Sequence, residues 1–180
     1  MTRQIKKCVY AGGFDPLTQG HMYMIREGAK LFDILVVAVG INPDKHYTFS
    51  EDERLNVIRQ CTGEIPNVEV DIFKGLYLVT YAKSIGAGYI LRGLRSQEDY
   101  EYERSMRHVN ADMNPAITTV FLMPPRNLCE ISSSFVKGLV GPKGRQAVVK
   151  PYVPDPVYKL LLLKDISWPG ESGGAECRSD

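Results

Sequence analysis

The sequence predicts an α/β fold built on a doubly wound, parallel, five-stranded sheet. Three observations predict it. Short strand-like runs alternate with segments of helical period along most of the chain, an order that gives right-handed βαβ units. The run ILVVAVGI at residues 34–41 is apolar throughout, which suits a strand covered on both faces. A loop rich in glycine follows the first strand, at the edge where doubly wound sheets bind ligands.

The elements follow in order. Residues 6–11 read as the first strand, ending in glycines. Residues 21–32 place Met24, Ile25, Ala29 and Phe32 near helical period. Residues 34–41 form the second strand. The sequence SEDE at residues 50–53 is a capping-box pattern with acids in the first turn, so a helix is expected over 50–60. Residues 68–73 give the third strand, and 77–85 a helix ended by Gly86. Residues 89–91 give a short fourth strand, and 97–113 a long charged helix stopped near Asn114 and Pro115. Residues 118–123 give the fifth strand, and 131–139 a helix opened by ISSS. Residues 142–156 read as a connector containing proline and glycine, before a last helix over 156–164. After Trp168 the sequence is PGESGGAECRSD, too polar to build a core. One domain is expected over residues 1–166, and a disordered tail over 167–180.

With 180 residues the chain can bury a sizeable single core. A formal charge of +1 argues against bulk binding of nucleic acid or of a membrane surface. No apolar run is long enough to span a bilayer, and the start MTRQIKKC lacks the apolar core of a signal peptide. The expectation is a cytoplasmic protein. Cys8, Cys61, Cys129 and Cys177 show no CxxC-type spacing, which points to plain thiols in a reducing compartment.

The first loop lies in YAGGFDPLTQGHMYMI, residues 10–25. Glycines let backbone N–H groups come close to a phosphate, and the next helix offers its positive end. His21 sits at that end and can donate to phosphate oxygens. The loop is neither a Walker pattern nor GxGxxG. A tight turn with a solvated histidine uses the same residues, and spacing alone leaves both readings open.

Further segments carry a family likeness. GGFDPLTQGH at residues 12–21 resembles the FDPxTxGH signature of the nucleotidyltransferase superfamily. Thr18 in the first position of TxGH is the form used by bacterial phosphopantetheine adenylyltransferases. NPDKHYTF at 42–49, ILRGLRSQEDYEYE at 90–103 and FLMPPRNLCEISSSFVK at 121–137 resemble three more segments of that family, in family order. The resemblance covers roughly residues 6–140. It implies a Rossmann-like nucleotidyltransferase fold and transfer of AMP from ATP to 4′-phosphopantetheine, giving dephospho-coenzyme A and pyrophosphate. It also implies Mg2+ and a homohexamer built as a dimer of trimers.

In such a reaction the acceptor phosphate attacks the α-phosphorus in line, which needs cations and N–H donors but no strong base. The resemblance accordingly assigns catalysis to His21, Lys45 and Arg95. It places Gly13, Lys45, Tyr77, Leu78 and Arg92 around the acceptor. It places Gly12, Phe14, His21, Arg95, Glu103 and Ile131 around ATP, together with Ser132, Ser133 and Ser134. Each has a plainer reading beside it. Lys45 could be a solvated loop lysine, and Arg92 and Arg95 could pair with Asp99 or Glu103. Glu103 could be a solvated helix carboxylate, and Tyr77 to Val79 the buried face of a helix. An N-cap explains one serine but not three. Asp15 is expected to fix the turn.

The chain also departs from the family pattern. Gly13 stands where the loop usually carries threonine. GLYLVTYAK at residues 75–83 is one residue longer than usual, with Thr80 where an aspartate is common. Gly138 replaces an acid, and the segment after it is longer and more basic. These changes leave room for a relative with another phosphate acceptor, or for a catalytically weak protein that binds nucleotide or coenzyme A.

Overall fold

The computed structural model describes residues 3–140 and 146–164. Five strands, β1 (Lys7–Gly12), β2 (Ile34–Ile41), β3 (Val68–Lys74), β4 (Tyr89–Gly93) and β5 (Thr118–Leu122), form one sheet in the order β3-β2-β1-β4-β5. Every neighbouring pair is parallel. The chain winds outward from β1 to β3, then crosses back to lay β4 against the other side of β1. Strand order therefore reverses between β1 and β4, which opens a crevice beyond their carboxyl ends.

Seven helices join and cover the strands among the described residues: α1 (Gln19–Leu31), α2 (Glu51–Thr62), α3 (Leu78–Ser84), α4 (Gln97–Met113), α5 (Ser133–Leu139), α6 (Gln146–Val149) and α7 (Asp155–Leu163). The strands alternate their side chains between two cores. Cys8, Tyr10, Leu35, Val37 and Val39 join the larger core, with α1, α2, α5 and α7. Val9, Ala11, Val36, Ala38 and Ile90 join a smaller core against Val79, Tyr81 and Ala82 of α3. Burial on both faces explains why β2 is apolar throughout. None of the described helices is long and apolar enough to cross a membrane. Among the described residues, Cys8, Cys61 and Cys129 are unpaired thiols.

Several boundaries differ from the sequence expectation, each for a local reason. The first helix begins at Gln19, not residue 21, because Thr18 is its N-cap. The fourth strand runs on through Arg92 to Gly93, since its pairing with β5 continues to Gly93. The fifth strand stops at Leu122. The fifth helix begins at Ser133, with Ser132 as its cap. The expected connector over 142–156 holds α6 and a 3-10 turn at Lys150–Tyr152. Val149 and Val153 from this stretch are 1% and 2% exposed, so it closes the core rather than bridging solvent. Residues 141–145 and the tail expected over 167–180 lie outside the described residues.

The long helix α4 stands apart from the rest. Glu103 is its only buried residue. Tyr102, Met106, Val109 and Met113 recur at helical spacing on it and are all exposed.

Candidate active site

Two adjoining chambers open at the carboxyl ends of β1 and β4, about 750 and 270 Å³ in volume. Ala11, Gly12, His21, Arg92, Ser133 and Ser134 line both. The larger chamber adds Gly13, Phe14, Lys45, Leu78 and Lys137. The smaller one adds Tyr10, Gly20, Arg95, Ile131 and Ser132.

His21 stands at the junction, and the first turn of α1 decides how it stands. The Thr18 side chain accepts the His21 N–H at 3.3 Å, and His21 Nδ1 accepts the Thr18 N–H at 3.0 Å. A backbone N–H can only donate, so Nδ1 carries no proton and Nε2 must carry it. Phe14 packs edge-on against the imidazole at 5.1 Å and holds the ring plane. Burial, with the Arg95 charge second, lowers the His21 pKa from 6.5 to about 4. The imidazole is therefore neutral at physiological pH and offers one N–H donor.

The loop before α1 is tightly constrained. Phe14 has φ of 47°, a left-handed conformation that costs about 1 kcal/mol or more in a residue with a Cβ. Such a conformation persists where its surroundings enforce it, and Phe14 is 2% exposed. At Gly20 an added Cβ would lie 2.9 Å from the Ile131 carbonyl oxygen. The glycine lets the start of α1 press against the segment that leads into α5. Asp15 accepts N–H groups from Thr48 at 3.0 Å and Phe49 at 2.8 Å, and pairs with Lys137 Nζ at 3.1 Å. It thus ties the first loop to the one that carries Lys45.

The three serines divide their work. The Ser132 hydroxyl caps α5 by accepting the Phe135 N–H at 3.0 Å. The Ser133 hydroxyl donates to the Pro16 carbonyl at 2.8 Å. Ser134 makes no side-chain hydrogen bond among the described residues and lines both chambers, leaving its hydroxyl for a ligand.

The cations are arranged unequally. Lys45 lies on an exposed loop at the mouth of the larger chamber. Arg95 lines the smaller chamber, with its Nε 2.9 Å from Asp99. Arg92 is committed more deeply: it forks onto both oxygens of Glu103 and donates to the Ala11 carbonyl at 3.0 Å. Burial opposes the Arg92 charge, but the Glu103 carboxylate outweighs it and raises the pKa.

Most of the residues anticipated from sequence converge here. Tyr77 is the exception: it is 71% exposed and lines neither chamber, because the chain turns into α3 at that point and sends Leu78 inward instead. Glu103 lines the smaller chamber, but its carboxylate is bound to Arg92. Both arginines thus form the ion pairs that were their plainer reading. Three contributors were missed. Lys137 follows Ser133 by four positions, one helical turn, and that spacing was available to find it. Tyr47 and Arg54 act through contacts that span the sheet edge, and no local spacing announces them.

Among the described residues no three His, Cys, Asp or Glu side chains gather as a metal-binding group. Of the carboxylates lining the chambers, Asp15, Asp99 and Glu103 each hold a cation. Asp44 has no such partner among the described residues.

A crevice at a strand-order switch, lined by N–H donors, hydroxyls and cations, defines a phosphate-handling nucleotide site of the nucleotidyltransferase class. The comparisons agree. Residues 9–138 match the cytidylyltransferase-like family model. A phosphopantetheine adenylyltransferase of Chromobacterium violaceum is 55% identical over 158 residues, covering 88% of this chain and 96% of that protein. One from Neisseria meningitidis serogroup C is 53% identical over 159 residues, covering 88% and 94%. The chain belongs to the phosphopantetheine adenylyltransferase family, within the cytidylyltransferase-like nucleotidyltransferases. Among solved structures, Plasmodium falciparum nicotinic acid mononucleotide adenylyltransferase complexed with NaAD superposes with TM-score 0.60 at 15% identity, covering 89% of this chain and 95% of that one. Thermotoga maritima TmcAL bound with alpha-thio ATP gives 0.62 at 11%, covering 88% and 55%. These two share the fold.

Proposed function

We propose that this protein transfers AMP from ATP to 4′-phosphopantetheine, giving dephospho-coenzyme A and pyrophosphate. The observation that carries the reading is His21. A neutral imidazole, its tautomer fixed by Thr18, presents Nε2–H where two ligand chambers meet. A base is not needed there, because the attacking phosphate is already an anion.

The smaller chamber takes the nucleotide, and the larger one takes the acceptor. Leu78 and Phe73 supply an apolar wall for the pantetheine arm. An acceptor oxygen attacks the α-phosphorus; the new P–O bond forms as the bond to the bridging oxygen of the β-phosphate breaks. His21 Nε2–H donates to the oxygens at the reacting phosphorus. Lys45 neutralises charge between the acceptor phosphate and the α-phosphate. Arg95 and the Ser134 hydroxyl hold the departing pyrophosphate. Arg92, locked by Glu103, presents its remaining edge toward the acceptor phosphate. Catalysis is then positioning and charge stabilisation, without a covalent enzyme intermediate.

Mg2+ would enter with the triphosphate, held by phosphate oxygens and water, and would neutralise polyphosphate charge. Most carboxylates at the site are already engaged by lysine or arginine, which favours an ion carried by the nucleotide. The protein works as a cytoplasmic homohexamer in this reading. The exposed stripe Tyr102, Met106, Val109 and Met113 on α4 supports assembly, since it leaves an apolar face without a covering element among the described residues.

The test is pyrophosphate release from purified protein with ATP, Mg2+ and 4′-phosphopantetheine. Release that requires the acceptor, and collapses in His21→Ala, supports the reading. Folded, ATP-binding protein that releases none refutes it and turns attention to another phosphate acceptor.

A further inference from the structure

Lys45 sits in the loop of residues 42–49, between β2 and the cap of α2. One side chain closes this loop. The Tyr47 hydroxyl accepts the Asn42 N–H at 2.9 Å and donates to the Gly40 carbonyl at 3.4 Å. Inside that closure the Lys45 N–H donates to the Asn42 carbonyl at 3.1 Å. The Asp44 N–H donates to Asn42 Oδ1 at 2.9 Å. The tyrosine ring is itself held. The Arg54 guanidinium lies 4.0 Å from its centroid and donates through Nη1 to the Gly13 carbonyl at 2.8 Å. Arg54 is 3% exposed, so this bridge is shielded from water. The ring also faces the bare side of Gly13, where a Cβ would lie 3.5 Å from Tyr47 Cε1. A path of contacts therefore runs from the glycine loop, through Arg54 and Tyr47, to the turn that bears Lys45.

We propose that Tyr47 is a positioning residue: it fixes the Lys45 turn in register with the glycine loop. The proposal rests on the adenylyl-transfer reading of the site. A lysine stem is flexible, so its charge is well placed only if the backbone beneath it is fixed. Residues 42–46 are exposed, so the phenol contact contributes little to global stability. Its loss should appear in the chemical step.

The experiment uses Tyr47→Phe in the full chain. The kcat for pyrophosphate release is expected to fall about tenfold, the scale of one hydrogen-bonded contact. The KM for ATP should change by less than about twofold, because the nucleotide chamber is untouched. The thermal midpoint should stay in place, and trypsin should cut after Lys45 faster than in the parent. In a Lys45→Ala background, Tyr47→Phe should cost nothing further. Arg54→Lys, which keeps the charge but loses the planar stack, is a second variant: kcat should fall in the same way, and the thermal midpoint should fall as well because Arg54 is buried. If Lys45→Ala is as active as the parent, the reading of the site fails and this proposal with it. If Lys45→Ala is impaired, two results overturn the role of Tyr47 alone: an unimpaired Tyr47→Phe with unchanged cleavage, or a penalty that persists in full without Lys45.

Discussion

The Thr18 N–H donates to His21 Nδ1 at 3.0 Å, and the His21 N–H donates back to Thr18 Oγ1 at 3.3 Å. This reciprocal cap closes the first turn of α1. It also settles which imidazole nitrogen holds the proton, so a structural device of the helix start leaves Nε2–H as the donor where the two chambers meet. Cap and N–H donor are one feature here.

His21 should therefore remain neutral well into acid. Burial and Arg95 lower its pKa to about 4, against 6.5 for the ordinary group. As pH falls, the unfolded chain takes up this proton before the native chain does. The stability tied to neutral His21 is thus complete above about pH 6.5, and is lost progressively as pH falls toward about 4. Nitrogen NMR at about pH 6 should show Nε2 protonated and Nδ1 bare, as the Thr18 bond requires. A titration midpoint near 6.5 would contradict this. In kinetics, His21→Ala should lower kcat by about 10²–10³, the usual cost of losing one donor to developing charge.

Two nearby glycines, Gly13 in the loop and Gly20 in the first turn of α1, should respond differently to alanine. At Gly20 the new Cβ would lie 2.9 Å from a backbone carbonyl oxygen, which cannot swing aside as a side chain can. Gly20→Ala should cost about 1–3 kcal/mol by overpacking and widen the seam between α1 and the start of α5. At Gly13 the nearest atom is 3.5 Å away, an ordinary contact. Gly13→Ala should change stability by less than about 0.5 kcal/mol. Thermal melts of the two variants provide the check, and equal losses would refute the distinction.

The Arg92–Glu103 pair should behave as a structural unit. The Glu103 side chain is 9% exposed and that of Arg92 is 28% exposed. Glu103→Gln leaves a largely buried guanidinium without its counter-charge, a loss of about 3 kcal/mol by analogy with other broken buried pairs. Calorimetry should show a lower midpoint. ATP affinity, measured below the transition, should change much less. A large loss of ATP affinity with an unmoved midpoint would instead give Glu103 a direct role at the nucleotide.

Charge placed on the α4 stripe should disrupt assembly. Met106 and Val109 are 36% and 48% exposed, so Met106→Glu with Val109→Lys should be neutral in an isolated chain, within about 0.5 kcal/mol. Light scattering should find the parent at six times its 20.2 kDa chain mass and the double variant at a smaller multiple. A parent mass of one chain would refute the hexamer directly.

The sequence by itself determined the alternation of strands and helices, the doubly covered β2, and the Ser50 cap. These features rest on local periodicity and on caps within a few residues, both of which a linear reading can see. It also marked most of the chamber lining, because the glycine loop, the Lys45 segment, the arginines and the serines each form a short contiguous motif. Only the tertiary structure decided how those motifs divide their work. Ser133 is spent on Pro16, 117 positions away in sequence, and Asp15 reaches across to Thr48 and Phe49. Arg54 spans from α2 to Gly13, and Tyr77 turns outward while Leu78 turns in. Such partners are chosen by where the sheet crossover brings distant segments together, and a hydrogen bond between them leaves no period or spacing in the chain.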